Sequence, residues 1–241
     1  MHPLKQATRE FINGKRHEWE ALKYEGNIRH DYFRFLPFRA LSCLLKERGV
    51  TLSGDRVLIA GCGPGTDIHY LRKFYNAVFT GLDISETVVR ITQAKNPGAA
   101  GVVGDIEQLP FPDGAFDWSF VAATLHHLPH PFVGLHELVR IARKGAIVIE
   151  PQDTALCRIA TRLGLATEVE ETGNYVFRFA TRDFQRISRS MFCSCSCRSL
   201  FALHRVAATS CGFRLLQGLN WVCNLLAPAQ GNYVVGLVVK P

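Results

Sequence analysis

Residues 56–67 read R-V-L-I-A-G-C-G-P-G-T-D. A short apolar run, residues 57–60, breaks into glycines at every second position, Gly61, Gly63 and Gly65, with Cys62 and Pro64 between them. Residues 66–75 then turn polar with a helical pattern. This is a buried strand feeding a tight turn that opens a helix, a place where glycines let the backbone approach a ligand closely. A dinucleotide fingerprint, G-x-G-x-x-G, would need its third glycine at position 66, where the chain has Thr66. Carboxylates recur behind the loop, Asp83 after one further strand and Asp105 after the next.

Outward from the loop, residues 55–150 alternate strand and helix. Strands are predicted at 56–60, 78–82, 101–103, 118–122 and 146–149, and helices at 66–74, 86–94 and 132–142. Apolar strands alternating with amphipathic helices imply a parallel sheet covered on both faces. Ligands of such sheets bind at the carboxyl ends of the strands, where the strand order reverses, and the loop and both carboxylates fall at such ends. Residues 33–48 have helical spacing, with Phe38, Leu41, Leu44 and Leu45 on one face, and end at Gly49. After residue 153, helices are expected at 155–165 and 200–209, around an aromatic and basic stretch at 173–182. Two closing strands are expected at 213–218 and 233–239, with a loop at 220–230.

The chain has 241 residues, 47% of them hydrophobic, enough for one sizeable core, so a single domain is expected over 1–241. No run of about 18 apolar residues suggests a membrane span. The N-terminal stretch lacks an apolar signal-peptide core, and the eight cysteines read as reduced thiols, so a cytoplasmic protein is expected. A formal charge of +7 would suit an anionic partner, but the basic residues are dispersed. Nucleic acid is therefore not the expected partner, and the oligomeric state stays open.

With Asp83 in T-G-L-D-I-S and Asp105 in V-V-G-D-I-E-Q-L-P-F, the G-x-G-x-G loop resembles the first motif of class I S-adenosylmethionine-dependent methyltransferases. The resemblance covers residues 56–151 well and is closest to the small-molecule branch, in which L-H-H-L follows the fourth strand, here Leu125 to Leu128. It implies an α/β, Rossmann-like, seven-stranded, mostly parallel sheet with an antiparallel last strand. It also implies S-adenosylmethionine as cofactor, with Gly61, Cys62, Gly63 and Gly65 lining it. Asp83 would hold the ribose hydroxyls, Ile84 pack on the adenine, Asp105 and Ile106 meet the adenine edge, and Ala122 border the methionine part. Ser85 would cap the helix after Asp83, and Glu107 and Gln108 would face solvent. One departure stands out: the family's acid two residues before the first glycine is Ile59 here, and Asp67 is the nearest substitute.

The implied reaction is in-line methyl transfer, in which the protein mainly aligns the reacting atoms and excludes water. A hydroxyl acceptor would need a base, for which His127 and then His126 are the candidates. Residues 1–54 are read as a helical lid, 55–151 as the cofactor-binding core, 152–210 as a substrate-side insertion and 211–241 as the final strand pair. A pocket roofed by the lid and the insertion would use Tyr24, His30, Tyr175, Phe177, Arg178 and Phe179. That set suggests a small aromatic or anionic acceptor. The alternatives are an RNA- or protein-modifying methyltransferase, or a protein that binds S-adenosylmethionine without turnover. No metal site is expected: the C-S-C-S-C run of Cys193, Cys195 and Cys197, with His204, is poorly spaced for zinc.

Overall fold

The computed structural model describes residues 2–22, 28–170, 173–202 and 210–241, apart from the side chains of residues 19, 28–34 and 210–213. Its strands are β1 (Arg56–Ala60), β2 (Val78–Asp83), β3 (Ala100–Val103), β4 (Phe116–Ala122), β5 (Ala142–Pro151), β6 (Ser194–Leu200) and β7 (Tyr233–Val239). They form one seven-stranded sheet in the order β3-β2-β1-β4-β5-β7-β6. The first five strands pair in parallel, and β7 runs antiparallel between β5 and β6. The strand order reverses between β1 and β4, so the glycine loop and the end of β4 flank one crevice.

Alternation along the strands sends neighbouring side chains to opposite faces. On one face Ile59, Trp118, Phe120 and Ile147 pack under Phe38, Leu41, Leu44 and Leu45 of α3 (Ile28–Glu47) and Tyr70 and Leu71 of α4 (Thr66–Leu71). On the other, Leu58, Val121 and Val148 pack under Leu135 and Leu138 of α6 (Pro131–Ile141) and Phe184 of α8 (Thr181–Ser190). Both layers are built of buried apolar side chains, and each fully buried Leu or Phe contributes about 1.5–3 kcal/mol. Between β2 and β3 runs α5 (Glu86–Lys95), capped as expected by Ser85, whose Oγ accepts from Val88 N. Two short helices lead the chain, α1 (Pro3–Gly14) and α2 (Arg16–Ala21), and α7 (Ala155–Arg162) follows β5.

The C-terminal part departs from the sequence reading. Residues 213–218, expected as a strand, lie within the helix α9 (Ser210–Leu226), which also takes much of the expected 220–230 loop. The strand that pairs with β7 is β6, the Ser/Cys run itself. A short apolar window does not separate strand from helix, and α9 becomes recognisable only over its whole length. Alternation of Ser with Cys is a period-two pattern, and it puts Cys195 and Cys197 half-buried against the α8 side of the core. The helix expected at 200–209 falls mostly on residues 203–209, outside the described residues, as does His204. No helix among the described residues is long and apolar enough to cross a membrane.

Two glycines test this arrangement. Gly145 in β5 has φ 154°, and a Cβ there would stand 2.0 Å from the Val238 carbonyl oxygen across the β5–β7 ladder. Gly145→Ala should lower stability by more than about 2 kcal/mol in urea unfolding. Gly218, helical in α9 with open space around it, should gain about 0.5–1 kcal/mol on replacement by Ala. A destabilised Gly218→Ala protein would return that segment to a strand.

Candidate functional site

The glycine loop leaves β1 with Gly61, Gly63 and Gly65 all at positive φ (66°, 48° and 86°). Thr124 packs where a Cβ on Gly61 would lie, 2.3 Å away, so this glycine joins the loop to the end of β4. Gly63 faces open space. Cys62 is buried, its Sγ 3.6 Å from Thr92 Oγ1, and burial pushes its thiol well up. It is packed inward with the core beneath the loop.

Asp83 ends β2 with only 6% of its surface exposed. Its Oδ2 accepts from Gly63 N (3.1 Å) and its Oδ1 from Ser85 N (3.0 Å). Burial pushes its carboxyl up, and these N–H donors oppose the shift. An ionised carboxylate offers about four acceptor positions, so capacity remains beyond the bonds from the Gly63, Ser85 and Ile84 N–H groups. Ile84 beside it is half-buried, and the buried Thr66 Oγ1, at the first position of α4, has no hydrogen-bond partner. Ile59 is fully buried in β1, and Asp67 is half-buried in the first turn of α4.

Asp105 lies beyond β3, with Oδ1 accepting from Glu107 N (2.9 Å). Its Oδ2 is paired with Lys5 of α1, and the same ammonium lies 2.6 Å from Glu107 Oε2. Glu107, expected in solvent, has a side chain only 9% exposed and also accepts from His130 N. Ile106 is buried in the core against α6. α1 therefore rests over the ends of β2 and β3, where Ser85 Oγ also donates to Asn13 Oδ1 (2.7 Å). Sequence reasoning missed Lys5, whose partners lie a hundred residues away.

At the other side of the crevice, β4 ends at the half-buried Ala122, and Ala123 takes φ 48°. A single 3₁₀ turn, Leu125–His127, follows. Glu150, fully buried near the end of β5, accepts from Thr124 N (2.9 Å), Leu125 N (2.7 Å) and His126 Nδ1 (2.6 Å). His126 Nε2 lies 3.5 Å from Glu170 Oε1, and His127 Nδ1 lies 2.7 Å from Glu170 Oε2. The two imidazole rings are 4.1 Å apart. Burial disfavours charge on His126, but Glu150 and Glu170 outweigh it and raise its pKa to about 9. For Glu170, burial opposes the charge while the two imidazoles hold the carboxyl far below its usual range. His126 faces a carboxylate at each ring nitrogen and is buried, which leaves His127 the more accessible of the two candidate bases. His127 stays half-buried beside Glu170. Glu170, in a loop 43 residues downstream, carried no signal of its own in the sequence.

The expected pocket residues divide. Tyr24 lies outside the described residues, and so does the side chain of His30. Tyr175 is 62% exposed. Phe179 is fully buried and stacks on Phe184, so it is core and not a lining residue. Phe177, half-buried, meets Phe132 and Phe179 edge-on, and Arg178 donates to Thr167 O. Cys195 Sγ lies 3.5 Å from Cys197 Sγ, and this pair has no third metal donor grouped with it among the described residues.

Residues 58–149 match the family model described as methyltransferase domain. The chain is 39% identical over 103 residues to phthiotriol/phenolphthiotriol dimycocerosates methyltransferase 1 of Mycobacterium ulcerans, covering 42% of this chain and 38% of that one. It is 37% identical over 97 residues to the fatty-acid O-methyltransferase of Mycolicibacterium smegmatis, covering 39% and 35%. The chain thus spans well under half the length of these curated relatives. Among solved structures, magnesium protoporphyrin IX methyltransferase of Synechocystis with bound S-adenosylhomocysteine superposes with a TM-score of 0.67 at 16% identity, covering 98% of this chain and 100% of that one. This last likeness is one of fold.

The Glu150–His126 pair makes stability depend on pH. With a pKa of about 9 in the folded chain against 6.5, the charge on His126 adds stability that is complete below about pH 6.5 and lost as pH rises through about 9. In chelator-treated buffer, thermal unfolding should show a midpoint that falls across this window. Glu150→Gln should lie lower throughout and fall less steeply. Parallel curves for the two proteins would remove the pairing.

Proposed function

We propose that this chain, whose residues 58–149 match the methyltransferase domain family, is a class I methyltransferase that transfers a methyl group from S-adenosylmethionine to a small-molecule acceptor. The observation that carries the reading is the Asp83 carboxylate. It is buried at the end of β2 and held in place by Gly63 N–H and Ser85 N–H, with acceptor positions to spare, next to a loop glycine that faces open space. A vicinal pair of ribose hydroxyls suits such an acceptor, because hydrogen bonds to an ionised carboxylate are about twice as strong as neutral ones. The unpartnered Thr66 hydroxyl in the same loop offers a further polar contact.

On this reading the bound sulfonium supplies the methyl group. Ile84 flanks the adenine, Asp105 Oδ2 takes its amino group, and the backbone of Gly61 with Ala122 borders the methionine part. The crevice between β1 and β4 aligns the methyl carbon with an acceptor approaching from the His127 side, which is the protein's main contribution to an in-line displacement. We place an oxygen nucleophile there. One of the relatives above is named an O-methyltransferase, and the His127–Glu170 pair lies at that end of the sheet. With Phe179 in the core, the aromatic lining that suggested an aromatic or anionic metabolite reduces, among the described residues, to Tyr175 and Phe177. The buried Ile59 favours a second reading, binding of S-adenosylmethionine without turnover, because no acid stands at that position for the methionine amino group.

Titration calorimetry with S-adenosylmethionine tests the cofactor site. The wild type should bind, and Asp83→Ala should bind about tenfold to a hundredfold more weakly, the worth of hydrogen bonds to a charged group at about 1.5–3 kcal/mol. Equal affinity in the two proteins, or no heat from the wild type, would refute the assignment. Binding without product from any hydroxyl or carboxyl acceptor would select the second reading.

A further inference from the structure

Glu150, His126, Glu170 and His127 form a connected chain at the end of β4, which is more than the single base that an oxygen acceptor would call for. One ligand atom from each of His126, His127 and Glu170 lies within 4.8 Å of the others, and the nitrogens facing the Glu170 carboxylate are His126 Nε2 and His127 Nδ1. We propose that these three side chains bind one divalent transition-metal ion, with Zn²⁺ as the ion best matched to the donors, and that Glu150 is the positioning residue behind them.

Four features support the assignment. Two imidazoles and one carboxylate are a donor set that holds zinc in open sites, where a fourth position stays free for water or substrate. His126 has the support that a metal-bound imidazole normally has. Its Nδ1–H is fixed by the fully buried Glu150 at 2.6 Å, which sets the tautomer and leaves Nε2 toward Glu170. Glu150 is itself locked by Thr124 N and Leu125 N, so the ring orientation is built in.

Charge gives the third argument. With neutral imidazoles the two carboxylates leave the cluster with two negative charges in a largely buried place. One divalent ion, like two protons, brings it to zero. Geometry gives the fourth. Bonds of about 2.0–2.1 Å in a tetrahedral site need ligand atoms about 3.3 Å apart. His126 Nε2 and Glu170 Oε1 stand at 3.5 Å. His127 and Glu170, each with 27% of the side chain exposed, have room to shift by the remainder. The free coordination positions would take water or an oxygen of the acceptor; the second of these rests on the methyl-transfer reading.

The test is a titration of the full chain with Zn²⁺ after chelator treatment and under reducing conditions, without S-adenosylmethionine, so that it stands apart from the cofactor site. One equivalent should bind with micromolar or tighter affinity and raise the thermal midpoint. Glu170→Gln and His127→Ala, both at partly exposed positions, should lose stoichiometric binding while keeping the wild-type circular dichroism. Glu150→Gln should retain binding weakened by about tenfold to a hundredfold, as loss of a supporting carboxylate does. Replacement by Co²⁺ should give visible bands without a thiolate charge-transfer band, and Cys195→Ser with Cys197→Ser should leave both titrations unchanged. Failure of the wild type to bind would overturn the proposal and leave His127–Glu170 as a simple proton pair. Binding that survives Glu170→Gln and His127→Ala, or that disappears with the two cysteines, would overturn it equally by placing the ion elsewhere.

Discussion

A single buried carboxylate fixes the turn that follows β4. Glu150 is fully enclosed and accepts three hydrogen bonds, from Thr124 N, Leu125 N and His126 Nδ1, so its charge is compensated where burial would otherwise expel it. These bonds tie the exit of β4 to the end of β5, beside the bond from Ala123 N to Ile149 O (2.8 Å). They also hold Ala123 at φ 48°, a conformation that costs a non-glycine residue about 1 kcal/mol or more unless its surroundings dictate it. Everything downstream in the turn, the two imidazoles included, takes its position from that anchor. A residue near a strand end that reads as ordinary punctuation in the sequence is, in the fold, the fixed point of the site.

The core was legible because its signals are local. Residues 56–60 and 78–82 are short apolar runs between turns, and each became a strand with its boundary within one residue. Ser85 is a helix cap by its position in the sequence and by its bond to Val88 N. The C-terminal third was not legible for the same reason in reverse. The apolar content around residues 213–218 has no period that six residues can reveal, whereas α9 needs seventeen. In β6 the inward residues are cysteines and not branched aliphatics, so the run was weighed and set aside as a metal site and gave no strand signal. Its lack of strong strand formers is tolerable because β7 supplies the pairing and α8 covers one face.

The site divides along the same line. Asp83, Gly63 and Ser85 lie within 23 residues of one another and could be assigned together. Glu170 and Glu150, 43 and 24 residues from the histidines they hold, could not. L-H-H-L by itself ranked His127 only slightly ahead of His126, and their partners separate them further: carboxylates face His126 on both sides and His127 on one. The histidine that is easier to reach, and not the one with the more perturbed pKa, remains open to an acceptor.

Lys5 bears on how a ligand could reach Asp105. Its ammonium sits on Asp105 Oδ2, the oxygen that an adenine amino group would use on the proposed reading, while Oδ1 is taken by Glu107 N. Ammonium and amino group are both donors to the same oxygen, which has two lone pairs, so a ligand either shares it with the ammonium or displaces it. Glu107 Oε2 stands 2.6 Å from the same ammonium, with a side chain only 9% exposed. Lys5 can therefore leave Asp105 and stay paired, and no uncompensated charge is left in a poorly hydrated place. The exchange then costs one hydrogen bond and not an ion pair, and α1 need not come away from the sheet for the crevice to fill. In this arrangement Glu107 keeps the N-terminal helix docked over the cofactor side whether or not Asp105 is engaged.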